Sequence, residues 1–322
     1  MTGEAGAFPN VALIKYWGKR DATLNVPTTD SLSITLDRLA TVTKVRFMRS
    51  LSRDVVTING RPEPPHSVGR VTAFLDLVRV MASTSLRARV ESVSEVPVGV
   101  GFASSAAGFA ALALAATRAV GLPLDPAGLS RLARQGSGSA CRSLLEGFVK
   151  WRAGTRPDGL DSTAETLYAA AHWPLALLMV SVERDSKAIS SRTAMERTVR
   201  TSPLYRGFLE TAAGDLAVVE TAIGERRWDL LGPTVERHAL LMHATALGAD
   251  PPVRYWRPGT VRVMDAVQAL REEGFTAYFT LDAGPNPIVL CPVDQAEAVA
   301  SRLVALAAVR DVQVCGPGRG AW

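Results

Sequence analysis

The sequence predicts an α+β fold. Several short segments alternate apolar and polar residues, which is the pattern of half-buried strands. Several longer segments repeat apolar residues every three or four positions, which is the pattern of amphipathic helices. The two kinds of segment follow one another without the regular strand–helix alternation of a parallel α/β sheet, so an α+β arrangement is favoured.

The first half of the chain supplies three of the predicted helices and two of the longest alternating segments. Strand-like alternation covers residues 32–47 and 86–96, and helical spacing covers residues 68–81, 104–120 and 129–135. The segment 104–120 is the clearest helix, because it is rich in Ala and Leu and Gly121 follows its end. Residues 143–151 fit either a helix end or a strand.

The second half is more helical. Helices are predicted at residues 205–223, 230–247, 260–273 and 296–308, and strands at 174–182, 275–281, 287–290 and 312–315. A boundary between two lobes is expected near residues 175–190, and we divide the chain into an N-terminal lobe, residues 1–180, and a C-terminal lobe, residues 181–322. The glycine-rich segment from Gly316 onward is expected to be a mobile tail.

Composition excludes several classes of protein. Of the 322 residues, 47% are hydrophobic and 21% charged, as in a globular chain and not a disordered one. The longest apolar run, residues 106–116, is about half of the roughly 20 residues that span a bilayer. No signal-peptide pattern opens the chain, and three scattered cysteines form no disulfide framework, so a cytoplasmic location is expected. The net charge of +5 comes from arginines spread along the chain, which argues against a nucleic-acid partner.

A glycine-rich loop precedes the clearest helix. It reads Pro97-Val-Gly99-Val-Gly101-Phe-Ala-Ser104-Ser105. Glycines allow close backbone approach to a ligand, and the first turn of a helix presents unpaired N–H groups and a positive dipole end, which suit phosphate. The alternative is a glycine turn followed by an ordinary serine N-cap. The loop is neither a Walker A motif nor a dinucleotide-binding fingerprint.

Two further loops carry polar side chains among small residues. Residues 135–142, Gln-Gly-Ser-Gly-Ser-Ala-Cys-Arg, can wrap an anion, with two serines as donors and Arg142 as a bidentate partner for carboxylate or phosphate. In residues 281–286, Asp282 follows an apolar strand and precedes a Gly-Pro turn, where a carboxylate could deprotonate a hydroxyl. Taken alone, the first fits a flexible connector and the second fits ordinary turn chemistry.

A longer sequence motif near the N-terminus indicates how these loops are to be interpreted. Residues 10–21, Asn-Val-Ala-Leu-Ile-Lys-Tyr-Trp-Gly-Lys-Arg-Asp, strongly resemble the opening of the mevalonate diphosphate decarboxylase family. That family belongs to the superfamily of galactokinase, homoserine kinase, mevalonate kinase and phosphomevalonate kinase. Further matches lie at residues 31–36, 97–107, 136–142, 190–195 and 282–286, in the order that the family has them.

The resemblance implies a two-lobed small-molecule kinase fold with the active site in the cleft between lobes. It also implies an ATP-dependent carboxy-lyase of the mevalonate pathway of isoprenoid biosynthesis. ATP would phosphorylate the 3-hydroxyl of (R)-5-diphosphomevalonate, and loss of phosphate and CO₂ would give isopentenyl diphosphate. The implied cofactors are ATP and Mg²⁺, and the expected partners are the small-molecule substrate and ATP, not a nucleic acid or a membrane. The protein is expected to form a homodimer.

The resemblance also implies roles for individual residues. Asp282 would orient and deprotonate the hydroxyl, Lys15 would neutralise the transferring phosphoryl group, and Ser105 would hold the triphosphate and Mg²⁺. With Arg142, these form the implied catalytic set. The implied substrate-binding residues are Tyr16, Lys19, Arg70, Ser137, Gly138, Ser139, Arg142, Ser191, Arg192 and Met195. The implied ATP-binding residues are Asn10, Pro97, Gly99, Gly101, Ala103, Ser104 and Ser105.

Alternatives stay open at this point. One alternative is a relative that acts on mevalonate or its monophosphate, or one that phosphorylates without decarboxylating, although Lys19, Arg142 and Arg192 favour a full diphosphate. A catalytically inactive paralogue would be expected to lack Asp282, Lys15 or the serine loop. His238 and His243 are five residues apart, so they do not share a helix face as zinc-protease ligands do.

Overall fold

The computed structural model describes residues 1–96, 104–183 and 189–322, and over these ranges it is a mixed α+β protein, as predicted. The strands are β1 Thr2–Ala7, β2 Asn10–Ile14, β3 Lys19–Asp21, β4 Val26–Pro27, β5 Ser31–Thr35, β6 Thr41–Met48, β7 Val55–Ile58, β8 Arg61–Pro62, β9 Arg87–Ser94, β10 Phe148–Trp151, β11 Ala164–Tyr168, β12 Leu175–Ser181, β13 Tyr278–Leu281, β14 Pro287–Pro292 and β15 Asp311–Cys315. The helices are α1 Pro65–Met81, α2 Ser104–Val120, α3 Pro126–Gly136, α4 Ala140–Ser143, α5 Ser191–Thr201, α6 Tyr205–Glu225, α7 Trp228–Leu247, α8 Pro258–Glu272 and α9 Ala296–Val304.

The first sheet has the order β1-β6-β9-β7-β8, with β7 and β9 parallel and the other neighbours antiparallel. The alternation along β6 is complete, since every second side chain from Thr41 to Phe47 is buried. Helix α2 packs its alanine-rich face on β1 and β6, where small side chains permit close approach. This packing fixes the first turn of α2, which faces the cavity described below.

Two further four-stranded sheets share a hydrophobic core. Their orders are β11-β10-β5-β2 and β13-β14-β12-β15, and both are antiparallel. Leu32 and Ile34 of β5 lie in one buried cluster with Leu177 of β12 and Leu290 of β14. Helices α6 and α7 contribute to the same cluster. The end of β2 is therefore held by this common core, and β13 is held beside it through its pairing with β14. The division of the chain into lobes at residue 180 stays a prediction.

The predicted strand at residues 32–47 is wrong as a single element. It consists of two strands in different sheets, β5 and β6. Between them Leu39 adopts a φ of 68°, and Leu36 forms an isolated bridge with Pro317. No Gly or Pro stands at residues 36–40, so apolar alternation on both sides conceals the break.

The expectation of a mobile tail is also wrong. The Gly6 N–H donates to the Trp322 carbonyl at 3.0 Å, and the Trp322 N–H donates to the Gly6 carbonyl at 2.9 Å. The Trp322 ring packs against Phe8 at a centroid distance of 4.9 Å. A bulky aromatic side chain finds a partner here, which glycine content alone does not reveal.

Most of the other predicted helices and strands are confirmed to within three residues at each end, but α9 ends at Val304, four residues before the predicted end. Helix α2 has the predicted bounds, and the ambiguous segment 143–151 contains both the end of α4 and strand β10. Helix α5 and seven of the shorter strands, β1, β2, β3, β4, β7, β8 and β11, were not predicted as elements. Over the described ranges, no helix combines the length and the apolar character that crossing a membrane requires.

Candidate active site

A cavity of about 620 Å³ brings the predicted site residues together. Every predicted site residue that the structure describes lines it: Asn10, Lys15, Tyr16, Lys19, Arg70, Ser104, Ser105, Ser137, Gly138, Ser139, Arg142, Ser191, Arg192, Met195 and Asp282. Pro97, Gly99, Gly101 and Ala103 lie outside the described residues. These residues are spread over the sequence from position 10 to 282, so the fold assembles the site from distant segments.

A buried ion pair lies on the cavity wall. Lys15 follows β2 and Asp282 follows β13, and the Lys15 Nζ donates to Asp282 Oδ1 at 2.7 Å. The same ammonium donates to the Ala12 carbonyl at 2.6 Å. The side chain of Lys15 is 2% exposed and that of Asp282 is 21% exposed. Burial lowers the pKa of Lys15, and the negative charge of Asp282 opposes that shift. The arrangement places a carboxylate and an ammonium side by side on the wall of the cavity.

Arg142 is a buried guanidinium held by neutral partners. Its Nε donates to Asn10 Oδ1 at 3.2 Å and to Ser33 Oγ at 3.0 Å, and its Nη1 donates to Ser31 Oγ at 2.7 Å. Burial lowers its pKa. Hydroxyl and amide oxygens orient the cation without neutralising it, so its charge stays available to an anion in the cavity.

Asn10 connects β2 to the loop that carries Arg142. Its Nδ2 donates to the Ser139 carbonyl at 3.0 Å and to Ser143 Oγ at 2.8 Å, while its Oδ1 accepts from Arg142. Both ends of the amide therefore bond protein atoms and hold the loop in place. The predicted contact of Asn10 with ATP stays a prediction.

The helix N-terminus and the second small-residue loop meet at the cavity. Ser104 and Ser105 begin α2, and Ser105 Oγ lies 3.2 Å from Ser137 Oγ. Gly138 lies directly against the Tyr16 ring, since a Cβ added at Gly138 would be 2.6 Å from Tyr16 Cε1. Hydroxyls and helix N–H groups thus converge where an anion can be bound.

Three cations from three elements surround another part of the cavity. Lys19 comes from β3, Arg70 from α1 and Arg192 from α5. Burial lowers the pKa of Lys19 to about 8, assisted by Arg192 and Arg70 and opposed by Glu196. Burial and Arg192 also lower the pKa of Arg70. Cations that repel one another in a cavity favour a multiply charged anion between them.

The turn between the two site lysines has a contact that the sequence did not predict. Gly18 has a φ of 120°, and a Cβ there would be 1.7 Å from the Tyr205 hydroxyl. That hydroxyl donates to the Trp17 carbonyl at 3.2 Å. Only glycine fits this position, so Tyr205 of α6 sets the shape of the turn that carries Lys15 and Lys19.

One wall of the cavity was missed by sequence reasoning. It consists of side chains from the first sheet and from the start of α1: Thr41, Val56, Ile58, Val90, Ser92, Ser94, Glu63, His66 and Ser67. Thr41 Oγ1 lies 2.9 Å from Ser94 Oγ, on neighbouring strands. The available signal was hydroxyl side chains at strand positions whose alternation calls for apolar residues, as at Ser92 and Ser94 after Ala88 and Val90.

Comparison with known proteins decides the family. The family model described as "Diphosphomevalonate decarboxylase-like N-terminal domain" matches residues 7–164, and the model described as "Mevalonate 5-diphosphate decarboxylase C-terminal domain" matches residues 176–314. Diphosphomevalonate decarboxylase mvd1 of Aspergillus fumigatus is 37% identical over 317 residues, which cover 92% of this chain and 78% of the relative. The chain belongs to the diphosphomevalonate decarboxylase family. The human diphosphomevalonate decarboxylase is 37% identical over 302 residues, covering 87% of this chain and 74% of the relative.

Solved structures of diphosphomevalonate decarboxylases share the whole fold. The Staphylococcus aureus enzyme is 36% identical with a TM-score of 0.94, covering 100% of this chain and 97% of that one. The structure of MDDEF in complex with MVAPP, AMPPCP and magnesium is 41% identical with a TM-score of 0.95, covering 100% and 98% of the two chains. These comparisons confirm the family that the sequence motifs indicated and the two-lobed kinase-type fold predicted from it.

Proposed function

We propose that this decarboxylase converts (R)-5-diphosphomevalonate and ATP into isopentenyl diphosphate, ADP, phosphate and CO₂. The observation that carries the proposal is the Lys15–Asp282 pair in the same cavity as Lys19, Arg70 and Arg192. The pair suits phosphoryl transfer to a hydroxyl, and the three cations suit a diphosphate. The family assignment and the complex of MDDEF with MVAPP, AMPPCP and magnesium support the same substrates.

Phosphoryl transfer relies on positioning and charge. The 3-hydroxyl oxygen attacks the γ-phosphorus of ATP, the bond to the ADP oxygen breaks, and the hydroxyl proton passes to the Asp282 carboxylate. Lys15 stabilises the negative charge on the transferring group and holds Asp282 through its 2.7 Å hydrogen bond. A tertiary hydroxyl is crowded, so this orientation contributes much of the rate.

Substrate binding uses cations for which the described part of the chain shows no ion pair with a carboxylate. Lys19, Arg70 and Arg192 bind the diphosphate, while Arg142 and the serines of the 137–139 loop bind the carboxylate. In the second step the C3–O bond breaks and phosphate leaves, while the electrons of the bond to the carboxylate form the new double bond and CO₂ departs. A cavity that excludes water protects the electron-poor C3 during this step.

The residues fit a magnesium ion that arrives with the nucleotide. Over the described ranges, no group of three or more His, Cys, Asp or Glu side chains is placed to hold a metal ion. Magnesium at nucleotide sites is bound by one or two carboxylates together with phosphates and water. Ser105 is the residue we assign to it, and a bound ion would neutralise phosphate charge.

We propose that ATP binds with its triphosphate at Ser104 and Ser105 and its adenosine toward the wall formed by the first sheet. Hydroxyls of Thr41, Ser92 and Ser94 lie on that wall beside apolar side chains. This mixture suits a flat, polar-edged base. The predicted ATP contacts at Pro97, Gly99, Gly101 and Ala103 remain part of the proposal.

A substrate panel tests this function. The protein is incubated with ATP and Mg²⁺ and with mevalonate, its 5-monophosphate or its 5-diphosphate, and products are identified by mass spectrometry. Isopentenyl diphosphate and CO₂ are expected from the diphosphate alone. A phosphorylated product without CO₂, or turnover confined to mevalonate or the monophosphate, would overturn the proposal in favour of a related kinase.

We also propose a cytoplasmic homodimer. The three cysteines Cys141, Cys291 and Cys315 are buried and free, which suits a reducing compartment. The homodimer rests on the resemblance, and the long helix α7 is a candidate for part of its face. Light scattering on the purified protein gives the oligomeric state directly, and a monomer mass would refute this part.

A further inference from the structure

A histidine outside the predicted site contacts the main chain of Asp282. His243 lies on α7 and is 2% exposed, and its Nε2 is 3.1 Å from the Asp282 carbonyl oxygen. A carbonyl only accepts hydrogen bonds, so Nε2 must carry the proton. Burial, with the nearby charge of Lys15, lowers the pKa of His243 to about 4, so the ring is neutral at pH 7 and Nε2–H is the tautomer present.

Aromatic neighbours hold this imidazole in place. The Tyr255 ring meets it edge-on, with centroids 6.0 Å apart and an interplanar angle of 88°. The Trp256 ring lies 5.6 Å away at 40°. Helix α7 itself packs on β13, the strand that ends just before Asp282. The donor is therefore fixed on a rigid element, as precise positioning requires.

The Asp282 carbonyl accepts a second hydrogen bond, from the Gly284 N–H at 2.7 Å. Two donors on one oxygen fix the orientation of this peptide group, although a Gly-Pro turn follows it. Neither donor uses a carboxylate oxygen. Lys15 bonds one carboxylate oxygen, whereas His243 bonds the main-chain carbonyl.

We propose that His243 is a positioning residue that aims the Asp282 carboxylate at the substrate hydroxyl through its main-chain carbonyl. This inference rests on the proposed function, because the hydroxyl belongs to the proposed substrate. A misplacement of about 1 Å can cost roughly 100-fold in rate, so loss of this hydrogen bond acts on turnover more than on substrate binding.

Three variants test the proposal. His243→Phe removes the donor and keeps a ring, while His243→Gln keeps an amide donor near the Nε2 position. His238→Phe is the matched control, since His238 is a buried histidine on the same helix whose Nδ1 lies 2.8 Å from Asp215 Oδ2. If His243→Phe does not fold, His243→Asn replaces it, because its shorter amide ends before the carbonyl.

The expected kinetic result is a split between kcat and KM. For His243→Phe, kcat falls about 10- to 100-fold and KM for both substrates changes less than about threefold, while His243→Gln recovers most of kcat. Turnover of the folded His238→Phe protein stays close to wild type. Equal losses in His243→Phe and His238→Phe, or no recovery in His243→Gln, would overturn the proposal and indicate a packing role.

A structural readout separates this inference from the proposed function. In a crystal structure of His243→Phe, the Asp282 carboxylate is expected to lie more than about 3.2 Å from Lys15 Nζ, beyond hydrogen-bond distance. An unchanged distance overturns the positioning role, whatever the substrate proves to be. An inactive wild-type protein in the substrate panel refutes the function and leaves this distance as the deciding measurement.

Discussion

Replacement of Asp282 by Asn is expected to affect both stability and turnover, because the carboxylate neutralises a buried ammonium. The side chain of Lys15 is 2% exposed, and Asp282 is the carboxylate it bonds, at 2.7 Å. Removing one partner of a fully buried pair costs about 3–5 kcal/mol. Asp282 is 21% exposed to the cavity, so water replaces part of its effect and we expect a loss of about 2–3 kcal/mol.

Replacement of the other partner, Lys15, is expected to lower the free energy of unfolding by less. Lys15→Met leaves the partly exposed carboxylate of Asp282, which water can solvate, so the free energy of unfolding should fall by only about 1 kcal/mol. In the double variant both charges of this pair are removed, so neither is left without its partner. Its loss should be smaller than the sum of the two single losses by at least about 1 kcal/mol, which is the coupling energy of the pair.

Urea unfolding followed by tryptophan fluorescence measures the three stabilities, and ADP release measures turnover. For Asp282→Asn we expect kcat to fall about 10²- to 10⁴-fold while ATP still binds, as for loss of a general base. Additive stability losses would show that the charges do not interact as the 2.7 Å distance indicates. An unchanged rate in Asp282→Asn would remove Asp282 from its proposed role.

Three further predictions concern other contacts. Gly138→Ala places a Cβ 2.6 Å from Tyr16 Cε1 and should raise KM for the diphosphate substrate about tenfold. The control is Gly207→Ala in α6, where the added Cβ meets open space; it should leave the kinetics unchanged and raise the free energy of unfolding by about 0.5–1 kcal/mol. The same KM in both variants would contradict this prediction. A bound polyanion favours the charged form of Lys19, whose pKa is about 8, so substrate affinity measured by calorimetry should weaken as the pH rises through 8, and Lys19→Gln should flatten that dependence. Trp322→Ala removes an aromatic contact and should lower the free energy of unfolding by about 1–2 kcal/mol, and an unshifted urea midpoint would refute this.

Much of the site could be predicted because its residue types stand in short, recognisable strings. Lys15, Arg142 and Asp282 were all predicted, and the structure brings them to one cavity. The sequence could not show that Lys15 and Asp282, 267 positions apart, are bonded directly. It also could not show that neutral hydroxyls hold Arg142, because those contacts depend on the pairing of β2, β5 and β10.

The residues that were not predicted act through contacts between segments far apart in the sequence, and such contacts leave no local sequence pattern. Tyr205 reaches the Trp17 carbonyl across 188 positions, and His243 reaches Asp282 across 39. A tyrosine at a helix start and a histidine in an apolar helix each look like packing residues from the sequence alone. The fold showed the same limit at residues 36–40, where the chain changes sheets without a glycine or proline to mark the turn.

The hydrogen bonds between Gly6 and Trp322 bear on how the protein folds during synthesis. The Gly318 N–H also donates to the Thr35 carbonyl, at 2.7 Å, and the Ala321 N–H to the Leu144 carbonyl, at 3.2 Å. Early-made strands therefore keep unpaired main-chain groups until residues 316–322 leave the ribosome. Because closing so long a loop is slow, a chain on which residues 316–322 have not yet docked exposes the edge of β1 to other chains, and newly made protein should need protection from aggregation until those residues dock.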